Sequence, residues 1–350
     1  MTETLTISVD AMGGDHGPSV VVPGVAKAAA ESSHLKFVLY GDEAAITAEL
    51  ARQPTLQGRA LVRHTDRVVA MDEKPAQALR RGKGTSMWSA IEAVKEGQAQ
   101  AAVSAGNTGA LMAMSLLILR MSVPVERPCL VVSWPGVKGV STVLDVGANV
   151  DCDAERLVEF AIMGEAFHRA AHGVERPTVG LLNIGSEEMK GHEEVRQAHA
   201  ILRSGKFDLD YRGFVEGDEL SQNKTDVIVT DGFTGNIALK TAEGTAKYVG
   251  GELRAALTSS LVTKLGALLA RSGLLAFSEK LSPDAAAPLL GLNGVVVKSH
   301  GGASERDIAS AIRMAAKLAR SDFAAEIERN MTRLTAAVAD QQPPAVDGAA

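Results

Sequence analysis

Thr6-Ile-Ser-Val-Asp-Ala-Met-Gly-Gly-Asp-His-Gly-Pro18 passes from a short β-branched run into a glycine-rich polar cluster, after which helical periodicity begins. The same passage recurs along the chain. Ala101–Val103 runs into Ser104-Ala-Gly-Asn-Thr-Gly109, Val143–Val146 into Gly147-Ala-Asn149, and Val179–Leu182 into Asn183-Ile-Gly-Ser186. Val227–Val229 runs into Thr230-Asp-Gly-Phe-Thr-Gly-Asn236, Val295–Val297 into Ser299-His-Gly-Gly-Ala-Ser304, and, more weakly, Phe37–Tyr40 into Gly41-Asp42. Short apolar runs bounded by turn residues and alternating with helices read as buried strands of a parallel sheet. The expected fold is therefore α/β, a three-layer α/β/α arrangement with a mostly parallel sheet. In such a sheet the carboxyl ends of the strands line one crevice, into which helix N-termini point unpaired N–H groups and positive dipole ends. All seven runs are expected to end in that crevice, which suits an anion, most naturally a phosphate.

The chain has 350 residues, 46% hydrophobic and 22% charged, enough for one large domain or two intimate lobes. A net charge of −6 and 4% aromatic residues exclude the basic stripes and stacking rings of a nucleic-acid binder. Two cysteines make no disulfide framework, and Met1-Thr-Glu-Thr-Leu5 enters the first strand without a leader, so cytoplasmic residence is expected. Gly97 to Leu119 carries no charge, yet Ser104–Gly109 breaks it into a strand and a buried helix over Thr108–Leu119. The α/β units are expected over 1–335 as a single catalytic domain of two lobes, with a crossover between Val123 and Pro135. A leucine-rich helical excursion over Glu252–Gly291 projects from it or covers its core. Residues 336–350, rich in Ala, Gln and Pro, read as a disordered tail.

Several chemistries lack their motifs. There is no phosphate-binding loop of the G-x-x-x-x-G-K-[ST] kind, and Met12–Gly17 lacks dinucleotide spacing. His192 and His199 are seven apart rather than four, so they form no zinc pair. Asp145, Asp151 and Asp153 suit helix capping better than Mg²⁺, and no metal or other cofactor is expected. Cys152 lies near a helix start, where a lowered pKa would suit an acyl acceptor, but fits a packing role better, since no base is identifiable beside it. Asn183-Ile-Gly-Ser-Glu-Glu-Met-Lys-Gly191 reads as a strand end followed by a helix from near Glu187, with Ser186 as its cap and Lys190 beside its N-terminus. His16 and His300 sit among glycines after strands, as proton donors, phosphate ligands or structural hydrogen-bonding groups.

Val9–Asp15, Ser104–Ala110, Leu144–Asn149, Gly180–Glu187 with Lys190-Gly191, Glu216–Asp218, Asp231–Lys240 and His300–Ser304, in that order, resemble the bacterial phosphate acyltransferase family of the PlsX type. The resemblance runs from about Ile7 to Ala325. It implies a fold like that of isopropylmalate dehydrogenases and phosphotransacetylases. It implies transfer of a long acyl chain from acyl carrier protein to inorganic phosphate, with the acyl phosphate passing to a glycerol-phosphate acyltransferase. A homodimer loosely attached to the inner face of the membrane is implied as well. Phosphate is then the nucleophile, so no serine or cysteine triad is required. The matching motifs place Asp10, Gly13, Gly14, His16, Ser104, Gly106, Asn107, Thr108, Gly109, Asn149, Asn183, Asp231, Gly232, Thr234 and Gly235 around phosphate and thioester. Lys190 neutralises charge, and Asn107, Asn236 or His300 steadies the thioester oxygen. Leu265, Leu268 and Leu269 of the excursion are the expected membrane or partner contacts, and Arg80-Arg-Gly-Lys83 the candidate basic patch for the acidic carrier. A short-chain phosphotransacetylase acting on coenzyme A thioesters and a non-catalytic membrane-recruitment protein remain alternatives.

Overall fold

The computed structural model describes residues 4–122, 125–281, 286–323, 325–327 and 329. The tail expected over 336–350 lies outside them, as do Val123 and Pro124 of the expected crossover.

The first half of the chain, with its last strand and helix, builds one parallel block. In order come β1 (Leu5–Asp10), α1 (Pro18–Glu31), β2 (Leu35–Gly41), α2 (Glu43–Leu50), β3 (Ala60–His64), α3 (Pro75–Arg81), α4 (Ser86–Lys95), β4 (Ala101–Ser104) and α5 (Thr108–Leu119). The rest follows as β5 (Cys129–Pro135), β6 (Val140–Leu144), α6 (Ala154–His172), β7 (Thr178–Leu182), α7 (Glu193–Arg203), β8 (Asp210–Val215), β9 (Val227–Val229) and α8 (Gly232–Leu257). Then α9 (Leu261–Leu269), α10 (Arg271–Leu281), β10 (Ala286–Leu290), β11 (Val295–Ser299) and α11 (Glu305–Arg320) close the chain. All eleven strands among the described residues join one sheet in the order β3-β2-β1-β4-β11-β10-β5-β6-β9-β7-β8.

All seven runs singled out in the sequence contribute a strand. Their common direction does not hold. β3, β2, β1, β4 and β11 are mutually parallel, as are β6, β9, β7 and β8. Between the blocks, β11–β10, β10–β5 and β5–β6 are three successive antiparallel pairings. An odd number of reversals leaves the two blocks pointing opposite ways. The strand ends therefore form two sets, one per block, where a single crevice was expected.

Helices cover both faces. One core cluster packs α1, α2, α6, α7 and α11 against the sheet, and a second packs α3, α4, α5 and α8 against the other side. Apolar residues at Ile308, Ala311, Ile312 and Ala315 give α11 one buried stripe at helical spacing. It lies close to α1 because Gly24 has no side chain; a Cβ there would meet Ile308 Cβ at 2.5 Å. On the opposite face α5 packs on β11 and α8 on β6, with β10 and β5 between them.

The excursion is shorter than its leucine pattern implied. Ala286–Leu290 returns as β10, a strand inside the sheet, so the projecting part is the distal half of α8 with α9 and α10. Along it Leu261, Leu265, Leu268 and Leu269 are 84%, 60%, 65% and 81% exposed, so this leucine stripe covers no core of its own chain. No single described helix is long and apolar enough to cross a membrane; α9 and α10 reach that length only as a pair bent by 73°.

Candidate active site

Strand register sets the first cluster. Ser104 at the end of β4 stands beside Asp10 of β1 on one side and Lys298 of β11 on the other. Residues level with one another on adjacent strands project to the same face, so the three side chains form a row. Ser104 Oγ donates to Asp10 Oδ2 at 2.7 Å and accepts from Gly106 N at 3.0 Å. Lys298, 6% exposed, donates from Nζ to the Ala105 carbonyl at 3.3 Å and to the Ser299 carbonyl.

Burial dominates both titrations. It pushes the Asp10 carboxyl above its ordinary value, against the hydrogen bonds from Ser104 and the Met12 and Gly13 backbone that favour the ion. It pulls Lys298 down to about 8, with the neighbouring carboxylates of Asp10 and Asp15 resisting and the ammonium of Lys240 adding to the fall. Fully buried Ser86 lies close enough to favour the Asp10 anion, yet its Oγ has no partner in hydrogen-bond geometry. A buried lysine in a polar row at strand tips is the arrangement expected of a site rather than of a core.

Around this row three loops interlock. A Cβ at Gly13 would lie 2.7 Å from both Asp10 Oδ2 and Gly106 N, so only glycine fits between the loops after β1 and β4. Gly14 adopts φ +88° and abuts the Gly301 carbonyl, to which Asp15 N donates at 2.9 Å. Asp10, Gly13, Gly14, Ser104, Gly106, Thr108 and Gly109 thus gather where α1 and α5 begin. His16 and His300 border them, both exposed, His300 Nδ1 accepting from Gly302 N at 3.1 Å. Asn107 plays a different part from the one expected. Its carbonyl oxygen caps α5 through Ala110 N at 3.0 Å, and its amide donates to the Met71 and Glu73 carbonyls, each at 2.9 Å. Those bonds use both of its amide hydrogens on the fold and leave none for a thioester oxygen.

The second cluster belongs to the other block. Fully buried Asp145 accepts from the backbone N–H of Leu130, Gly147, Ala148 and Asn149 and from Asn149 Nδ2 at 2.7–3.2 Å, so it holds a turn. Asn149 donates onward to the Pro128 carbonyl and accepts from Gly232 N at 2.7 Å. Asp231 caps α8 through Thr234 N and Thr234 Oγ1, each at 2.8 Å. Gly235 lies against the Asp145 carbonyl, and Asn236 packs 3.6 Å from the position of a Cβ on Gly147. Burial and the carboxylates of Asp145 and Asp231 push the Cys152 thiol up to about 12, which ends its candidacy as a nucleophile.

The loop after β7 also departs from expectation. Its helix, α7, starts at Glu193 with His192 at the cap, not near Glu187 with Ser186. Asn183 Nδ2 instead ties the loop together through the carbonyls of Gly185 at 3.1 Å and Lys190 at 3.0 Å. Lys190 is half-exposed, pairs with Glu187 at 2.9 Å and precedes α7 rather than lying within its first turn.

Between the clusters runs α8. From Asp231 it passes antiparallel to its block's strands toward the tips of the first block, where Lys240 acts on Lys298. The space flanked by α5 and α8 over β10 and β5 is therefore bordered by the Asp10–Ser104–Lys298 row. Lys298 was missed in the sequence; the signal was a lone charge ending an otherwise apolar strand, Val295-Val-Val-Lys-Ser299.

The model of the fatty acid synthesis protein family matches residues 5–326. The chain is 68% identical to a phosphate acyltransferase of Phenylobacterium zucineum, with all of both chains covered. It is 61% identical to a phosphate acyltransferase of Caulobacter vibrioides over 99% of this chain and 98% of that one. Among solved structures, a phosphotransacetylase from Streptococcus pyogenes superimposes with a TM-score of 0.60 at 18% identity, over 90% of this chain and 94% of that one. That likeness is one of fold.

Proposed function

The chain belongs to the fatty acid synthesis protein family, and from that premise we propose that it is a phosphate acyltransferase, moving a long fatty acyl group from acyl carrier protein to inorganic phosphate. The observation that carries the chemistry is the buried row Asp10–Ser104–Lys298 at the start of two helices. Phosphate sits there against the Lys298 ammonium and the N–H groups that open α1 and α5. One of its oxygens attacks the thioester carbonyl carbon. A carbon–oxygen bond forms, the carbon–sulfur bond breaks, and the proton carried by hydrogen phosphate ends on the departing sulfur. Lys298, with its proton affinity lowered to about 8, relays that proton near neutrality. His300 beside the row, or Asn236 one turn before Lys240 on α8, steadies the carbonyl oxygen as charge develops. Lys190, paired with Glu187 on the loop after β7, belongs to the other block's strand ends and stands apart from this phosphate.

The carrier docks on a basic surface beside this row. Arg67 donates to the carbonyls of Lys83 and Arg81, which gathers Arg67, Arg80, Arg81 and Lys83 on one exposed patch. A local patch of this sign steers an acidic partner to a chain that is acidic overall. The exposed leucines of α9 lie in a membrane interface, where an amphiphilic acyl phosphate is best released, and the enzyme works as a homodimer.

One assay tests the reading. The purified chain is offered hexadecanoyl carrier protein, acetyl-coenzyme A and radiolabelled phosphate, and labelled acyl phosphates are separated. Labelled hexadecanoyl phosphate is expected. Labelled acetyl phosphate alone identifies a short-chain phosphotransacetylase, and no labelled product identifies a non-catalytic protein.

A further inference from the structure

A cavity of about 850 Å³ lies between α8 and the turn joining β5 to β6. Trp134, Leu220, Leu239, Ala242, Val249 and Phe277 line it. Leu239, Ala242, Ala246 and Val249 fall on one stripe of α8, and the two alanines leave the space that larger residues would fill. Trp134 Nε1, the one indole donor in the wall, is already bonded to Ser221 Oγ at 3.0 Å. The wall thus offers apolar surface and little to a polar ligand. Its near end begins at Ala238, just past Asn236 and beside Lys240, whose charge acts on Lys298. Its wall also includes Phe277 of α10, so it reaches toward the exposed leucine hairpin.

We propose that this cavity seats the alkyl tail of the acyl thioester, with the carbonyl at the Asn236 end and the methyl end toward Phe277. The assignment rests on the phosphate acyltransferase reading for its substrate and on the cavity's own geometry for its place. From Ala238 to Val249 the helix rises about 16 Å at 1.5 Å per residue. An extended alkyl chain advances roughly 1.3 Å per carbon, from 1.5 Å bonds at tetrahedral angles. About a dozen carbons therefore lie along the stripe, and the volume is of the order that holds a ligand of this size, roughly 300–1,000 Å³. Each methylene moved from water into such surroundings strengthens binding about fourfold. A cavity of this length therefore selects long chains over short ones and continues from the reaction site toward the surface where the product leaves.

Two substitutions in the stripe test it. Ala242→Trp fills the near part of the cavity and Ala246→Trp, one turn on, the far part. Fluorescent parinaric acid should bind the unaltered protein and bind Ala242→Trp at least tenfold more weakly, a change on the scale of a few methylenes. In turnover, Ala242→Trp should lose hexadecanoyl transfer at least tenfold while butanoyl transfer changes less than about twofold. Ala246→Trp should keep dodecanoyl transfer and lose hexadecanoyl transfer. Equal losses at every chain length, or parinaric acid binding untouched by both variants, overturn the assignment. So does a change of molecular mass in light scattering with fatty-acid binding intact, since a second copy would then occupy the groove. No turnover of any thioester by the unaltered protein removes the proposed function alone, because the cavity is judged separately by the loss of parinaric acid binding.

Discussion

Ser104 Oγ donates to Asp10 Oδ2 at 2.7 Å across two neighbouring parallel strands, inside a site where Asp10 is only 2% exposed. The bond favours the ionised carboxylate against the burial that opposes it. Ser104→Ala removes that support and raises the Asp10 pKa further. A carboxyl raised in the folded state gives its stability below the unfolded value and loses it as pH rises through the folded one. The variant should therefore melt close to the unaltered protein at pH 4 and be less stable by about 1–3 kcal/mol at pH 8. Equal destabilisation at both pH values in calorimetry would show that Asp10 does not ionise there.

The two lysines should part company. Lys298→Met is expected to lose acyl phosphate formation by about 10²-fold or more, the cost typical of a lost charge-stabilising donor, with the melting temperature little changed. Lys190→Ala changes a half-exposed side chain of the other block, so a rate within about twofold and unchanged melting are expected. A larger loss at Lys190 than at Lys298 would move the phosphate to the second cluster.

The pH profile carries a sign. Lys298 is protonated below about 8, so a rate that needs its ammonium falls as pH rises through that value. Lys298→Arg, whose guanidinium keeps its proton, should hold whatever activity it retains flat across this range. Between about 8 and the ordinary 10.5 the unfolded chain binds this proton and the folded one does not, so the residue's contribution to stability increases with pH there. A profile without a descending limb near 8, measured in kcat, rejects the relay.

Exposed leucines predict a fourth behaviour. Replacing Leu265, Leu268 and Leu269 together with Glu should release the chain from anionic phospholipid vesicles in a sedimentation assay and leave turnover of soluble thioester within about twofold. Vesicle binding that survives the triple change would assign α9 to a protein partner.

Much of this was legible in the sequence, and the gaps have physical reasons. β-branched runs stopping at glycine clusters located β1, β2, β4, β6, β7, β9 and β11, because a buried strand must be apolar and its end must turn. The relative direction of the blocks was not legible. It depends on Ala286-Ala-Pro-Leu-Leu290, a short strand containing a proline, entering the sheet between β11 and β5, and no local pattern encodes pairing sense. Asn107, Asn149 and Asn183 were read as substrate contacts from the company they keep; the structure spends their amides on carbonyls of the fold, and residue type alone does not reveal a partner. Lys298 escaped because one charge after three valines looks like the edge of a strand. Its meaning came from neighbours nearly two hundred and nearly three hundred positions away, Ser104 and Asp10.

The reversal of sense between the blocks leaves them joined by a narrow weld. β10 and β5 meet in only two registered pairs, Leu289 with Leu130 and Leu290 with Cys129. The apolar core shared by α6 and α11 backs that short ladder, with Phe167 edge-on to Phe323 at 6.4 Å, so the two halves are held together more by helix packing than by strand pairing. Lys298 from one half and Lys240 from the other sense each other's charge across this junction, so the spacing of the two ammonium groups depends on that packing.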